Sequence, residues 1–162
     1  MGDIEIVTAP DSLQMGTRGS IVGALSLRID DRWFPDRGWT DFVAVVLGWW
    51  ARESACLECG DPARFRFMDG DFQFVARPLP GGTRCVLSLG RGTQDSEAAM
   101  GSCEVQTRDL VAAVDRAARL VLEACAQRRW ESTAIEELRV WASRGAIEQG
   151  AAPDNAREEG SQ

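Results

Sequence analysis

A chain of 162 residues, 44% hydrophobic and 27% charged, is one globular domain long enough to bury a core. Its formal net charge of −7 lacks the basic footprint of a nucleic-acid binder, and no run approaches the ~18 apolar residues that span a bilayer. All eighteen basic residues are arginine, and histidine and tyrosine are also missing. Ser-His and Cys-His nucleophiles, imidazole metal ligands, Schiff bases, P-loops and phenolic acids are therefore excluded. Carboxylates, thiols, hydroxyls and arginines remain.

The chain opens with acids, Met1-Gly-Asp-Ile-Glu-Ile6, where a signal peptide carries positive charge and an apolar run, so a cytoplasmic protein is expected. Ile4 and Ile6 alternate with Asp3 and Glu5 as a short strand, and Thr8 to Ser20 reads as a loop. Ile21, Gly23, Leu25, Leu27 and Ile29 alternate as a half-buried strand, which the stretch Asp30 to Gly38 interrupts with Pro35. Thr40 is placed as an N-cap with Asp41 in the first turn, predicting a helix over 41–55 with Phe42, Val45, Val46, Trp49 and Trp50 on helical spacing. Gly48 inside it costs ~1 kcal/mol against Ala and suggests a close helix–sheet approach. The adjacent Trp49 and Trp50 cannot share one core, which makes one of them interfacial.

The stretch Arg64-Phe-Arg-Phe-Met-Asp-Gly-Asp-Phe-Gln-Phe-Val75 is a hairpin pattern around Asp69-Gly70, a dipeptide suited to a type I′ turn with positive φ at both central residues. Folded there, Phe67 faces Phe72 and Phe65 faces Phe74. All four phenylalanines then share the core side, and Arg64, Arg66 and Gln73 share the wet side with Arg84 of the next strand. That strand carries Cys85, Leu87 and Leu89. Gly90 to Glu97 is a polar loop, and residues 99–106 form a last strand.

Thr107 is placed as the cap of the longest helix, with a broad apolar stripe from Leu110 to Cys125. Thr133-Ala-Ile-Glu136 is a capping-box pattern for a third. The order β-β-α-β-β-β-β-α-α predicts an α+β domain over residues 1–147. It has a single antiparallel sheet of five or six strands, helices packed on one face, and a frayed acidic tail over 148–162.

Cys56-Leu-Glu-Cys-Gly60 is half a zinc knuckle without a second pair of ligands, and it follows a helix C-terminus where a redox CxxC opens one. The five cysteines are read as reduced thiols, and neither a cofactor nor a metal site is expected. Asp30, Asp31, Asp36, Asp69 and Asp71 stand on turns beside Trp33 and Phe34. As turn chemistry they are unremarkable; with Trp33 they also make an acidic, aromatic-edged surface suited to a basic protein partner, and Arg64 and Arg66 on the hairpin face are further candidates for contact. A small enzyme or ligand-binding domain using carboxylates and arginines, or a cysteine-based metal module, are the alternatives.

The order Trp33-Phe-Pro, Gly38-Trp39, helix, Phe65-Arg-Phe-Met-Asp-Gly-Asp-Phe-Gln-Phe74, strand, Thr107-Arg-Asp-Leu110 and long helix resembles small bacterial immunity proteins of polymorphic or contact-dependent toxin systems. The resemblance covers about residues 20–128. It implies a protein without catalysis that binds a cognate toxin domain through an acidic decoy surface and blocks its active site, with neither nucleic acid nor membrane as partner.

Overall fold

Alternation of apolar and polar residues builds two antiparallel sheets in the computed structural model, which describes residues 1–92 and 100–149. The first is organised on β3 (Ile21–Ile29), which pairs with β1 (Ile4–Thr8), β2 (Gln14–Met15), β4 (Arg32–Phe34) and β5 (Thr40–Asp41). The second is a meander of β6 (Ala63–Arg66), β7 (Phe72–Pro78), β8 (Arg84–Arg91) and β9 (Gly101–Gln106).

A single sheet was expected; there are two. They adjoin where the Gly2 N–H, just ahead of β1, reaches the Glu104 carbonyl of β9 at 3.4 Å. No ladder continues from that bond among the described residues.

Helix α1 (Val43–Glu58) packs against β6, β7 and β3, and α2 (Thr107–Gln127) along β1 with β8 and β9. Each helix thus bridges both sheets, and one continuous apolar core lies beneath them. Helix α3 (Thr133–Gln149) forms an outer layer on α1 and α2, with Ile135 and Leu138 turned inward.

Local capping rules placed the helix starts less well than periodicity placed their faces. Thr40 and Asp41 pair with Ala24 and Gly23 as a strand, so α1 begins two residues later than expected, behind Phe42. Thr107 is buried inside the first turn of α2 and its hydroxyl accepts no backbone N–H, so it is no cap. At α3 the hydroxyl comes from Ser132, which accepts the Ile135 N–H at 3.4 Å. A Cβ placed on Gly48 would meet nothing within 4 Å, so this glycine serves no close approach. The expected polar loop over 90–97 and frayed tail over 148–162 fall mostly outside the described residues.

Candidate functional site

The register of the phenylalanine hairpin is as expected: Phe65 pairs with Phe74, and the Phe67 N–H bonds the Phe72 carbonyl at 3.0 Å. Phe65 and Phe74 stack at 4.7 Å, and the edge of the fully buried Trp50 ring meets Phe65, Phe67 and Phe74 at 6.2, 5.0 and 5.2 Å. Trp49, its neighbour, is half-buried.

The turn differs from the expected one. Positive φ falls on Gly70 (71°) and Asp71 (59°), one residue later than a type I′ turn at Asp69-Gly70 requires. The cause is Asp41, 2% exposed. Its Oδ2 accepts the N–H groups of Met68 (3.1 Å) and Asp69 (3.2 Å) and the Trp39 indole N–H (3.3 Å), while Oδ1 accepts the Phe42 N–H (2.7 Å). The Met68 and Asp69 bonds hold residues 68–71 in a wider loop, while the Trp39 and Phe42 bonds orient the carboxylate itself. Trp39 closes over it, 5.2 Å from the Phe72 ring; a Cβ on Gly70 would lie 2.8 Å from the indole, so only glycine fits there.

Strand β6 is the edge of its sheet, and α1 covers that edge. Glu53 Oε2 accepts the Arg64 N–H at 2.9 Å, and the Trp50 indole donates to the Arg66 carbonyl at 2.8 Å. Beside these two bonds, the Arg64 and Arg66 side chains line two adjoining hollows. One, of about 380 Å³, is completed by Phe67, Asp71, Phe72, Gln73 and Gly92; the other, of about 330 Å³, by Trp49, Arg52 and Glu53. Among the described residues no carboxylate forms an ion pair with Arg52, Arg64 or Arg66. Farther along this face Arg84 pairs with Glu104. Gln73, expected to be wet, is only 7% exposed: its amide N–H donates to the Gly92 carbonyl at 3.3 Å, tying the hairpin to the end of β8.

The other expected site residues lie elsewhere. Asp30 and Asp31 form the tight turn of an unforeseen β3–β4 hairpin, and Asp30 (φ 52°) exchanges hydrogen bonds with the Asp3 backbone through its own N–H and its carboxylate, each 2.9 Å. They line a hollow with Leu89, Ser102 and Cys103. Trp33 is half-buried, with the guanidinium groups of Arg28 and Arg37 at 5.8 and 5.4 Å from its ring. The Asp36 carboxylate accepts the Arg37 N–H at 2.7 Å. So Arg64, Arg66 and Asp71 come together, Asp69 sits on the same loop, and Asp30, Asp31, Trp33 and Asp36 belong to the first sheet. Trp49, the interfacial member of the tryptophan pair, joins the groove, and Arg52 and Glu53 join it without having been foreseen, since on a helix their spacing marks only a wetter face.

Cys56 and Cys59 are exposed at the end of α1, and among the described residues no three His, Cys, Asp or Glu side chains cluster to hold a metal. Burial pushes the Cys85, Cys103 and Cys125 thiols above their ordinary range. A narrow slot of about 170 Å³ among the three helices is walled by Ala51, Ala55, Ala118 and Ala142. No described helix is long and apolar enough to cross a membrane. Compared with protein-family models, curated proteins and solved structures, the chain finds no match in any of the three.

Proposed function

We propose that this chain is a non-catalytic cytoplasmic binding protein of the immunity type, which occupies a cognate toxin domain and blocks it. The observation that supports a binding role is the groove of Arg52, Arg64 and Arg66, three guanidinium groups on a fixed scaffold without an ion-pair partner among the described residues. Arginine and tryptophan are the side chains that most often anchor protein interfaces, and a backbone already held in place leaves only the arginine side chains to be ordered when a partner arrives. The Asp41 clamp and the covered β6 edge supply the fixation. The antitoxin role itself is supported by the order of elements and by the missing imidazole, amine and phenol groups.

The experiment is co-expression of the chain with a toxin domain encoded beside its gene. Survival of the host, and loss of that protection in Arg66→Ala with an unchanged melting temperature, is the expected outcome. Toxicity undiminished by the wild-type chain would refute the reading.

A further inference from the structure

We propose that the groove on β6 recognises an extended acidic segment of the partner, with carboxylates at alternate positions, rather than a basic surface. This rests on the binding reading above and specifies its chemistry. Of the acidic residues first expected to meet a partner, Asp30 and Asp36 bond backbone N–H groups, Asp31 stands with Asp30 against another hollow, and Asp71 lines the groove among the arginines. The arginines are the opposite case. Glu53 is the one acid in the hollow beside Trp49, and its Oε2 is committed to the Arg64 main-chain N–H. Three cations against one anion give that hollow a formal charge of +2, and with Asp71, which lines the adjoining hollow beside the same two arginines, the groove as a whole carries +1 in a protein of net charge −7.

Geometry selects the shape of the ligand. Arg64 and Arg66 are two residues apart on one strand and face the same way, which separates them by two strand rises, about 6.8 Å. Both line both hollows, so the charge is spread along a groove and does not converge on one point. A compact anion such as phosphate fills one such position. An extended peptide presents every second side chain on one face at the same pitch, so alternate carboxylates match the two arginines in register. Arg52, across from them on α1, meets a further carboxylate, and Trp49 offers an apolar wall to the intervening residues. The segment is held chiefly by its side chains, because two of the groups that an added strand would use, the Arg64 N–H and the Arg66 carbonyl, are already bonded to α1.

The test is a titration of the full chain with an end-capped octapeptide in which glutamate and alanine strictly alternate, read by NMR at the arginine Nε–H and tryptophan indole N–H groups. Shifts at Arg52, Arg64, Arg66 and Trp49, with Arg108 and Arg119 of α2 unmoved, are expected. The double variant Arg64→Gln/Arg66→Gln should bind about tenfold more weakly, each charge-assisted pair being a strong contact. Arg52→Gln, on an exposed helix position, provides a second variant that leaves the sheet untouched. The isomeric peptide with all its glutamates in one block and all its alanines in the next, of equal charge, should bind more weakly than the alternating one. Equal shifts at Arg108 and Arg119, equal binding of the isomer, or tighter binding of inorganic pyrophosphate at the same arginines would each overturn the proposal. If the peptide fails while the chain still protects against a toxin domain, the groove assignment falls and the binding role stands; bound peptide without protection has the reverse meaning.

Discussion

Asp41 and Met68 are 27 residues apart, yet the Met68 N–H lies 3.1 Å from the Asp41 carboxylate. This contact and the one from the Asp69 N–H join the start of α1 to the hairpin loop and determine where that loop turns, while the Trp39 indole and Phe42 N–H hold the carboxylate in place. A hydrogen bond to a charged group contributes roughly 1.5–3 kcal/mol, and an asparagine offers one oxygen where the carboxylate offers two. Asp41→Asn should therefore lose roughly 1.5–3 kcal/mol in urea unfolding, because its amide N–H₂ must face at least one backbone donor. Hydrogen exchange at the Met68 and Asp69 amides should accelerate together. A change below about 1 kcal/mol would show that the loop holds itself.

What was legible in the sequence follows the range of the forces involved. Period-two alternation fixed the faces of Phe65, Phe67 and Phe74, because a one-residue slip would expose all of them. The turn between them was misplaced because its geometry is set by a carboxylate remote in the chain. Thr40 has the right side chain for a cap, but its backbone is drawn into pairing with Ala24, and tertiary pairing overrides a local preference. Strand β4 has only three residues, too few for any periodicity, and went unseen. The division into two sheets depends on how β1 meets β9, roughly a hundred residues away, which no local pattern encodes. Within the site, Arg64 and Arg66 were visible through alternation. Trp49 was visible only as one of two tryptophans that could not share a core, and Arg52 and Glu53 were not visible, since only the placement of α1 against the β6 edge gives them a role.

Gly48 gives a prediction of the opposite sign. It lies inside α1 where an added methyl group meets nothing within 4 Å, and its backbone is helical. Gly48→Ala should stabilise the protein by about 0.5–1 kcal/mol through the lower entropy of the unfolded chain. For a chain of this size that corresponds to a rise in melting temperature of about 1–4 °C. An unchanged or lower melting temperature would mean that a neighbour does crowd the site.

The thiols make stability fall at alkaline pH. Burial is the first cause of the raised titration of Cys85, Cys103 and Cys125. Above about pH 8.5 the unfolded chain releases these protons while the folded chain keeps them, so the unfolded state binds fewer and stability declines with rising pH. Below that value these groups contribute their full stabilisation. The window is unusually clean, for the chain has no lysine and no tyrosine, and arginine stays charged. Urea midpoints should be lower at pH 9.5 than at pH 7.5, and Cys85→Ala should shallow the slope. A thiol reagent should label the exposed Cys56 and Cys59 rapidly and the other three slowly. Equal midpoints, or five equally fast thiols, would contradict the buried placement.

The covered edge of β6 yields the sharpest test of packing. Glu53 reaches across from α1 to accept the Arg64 N–H, and it is half-buried, so a lost acceptor leaves the donor poorly solvated. Glu53→Ala should cost roughly 1–3 kcal/mol for that orphaned group. It also bares part of a sheet edge, and bare edges pair with one another, so sedimentation should detect self-association that rises with concentration. Glu53→Gln keeps an amide oxygen at the same reach while removing the charge. If the carboxylate serves as an acceptor, Gln should remain within about 1 kcal/mol of wild type and monodisperse under conditions where Ala associates. Equal loss in both variants would instead make the negative charge itself the stabilising element, acting on Arg52, Arg64 and Arg66. No loss in either would mean that the Trp50 indole, bonded to the Arg66 carbonyl, secures the edge alone.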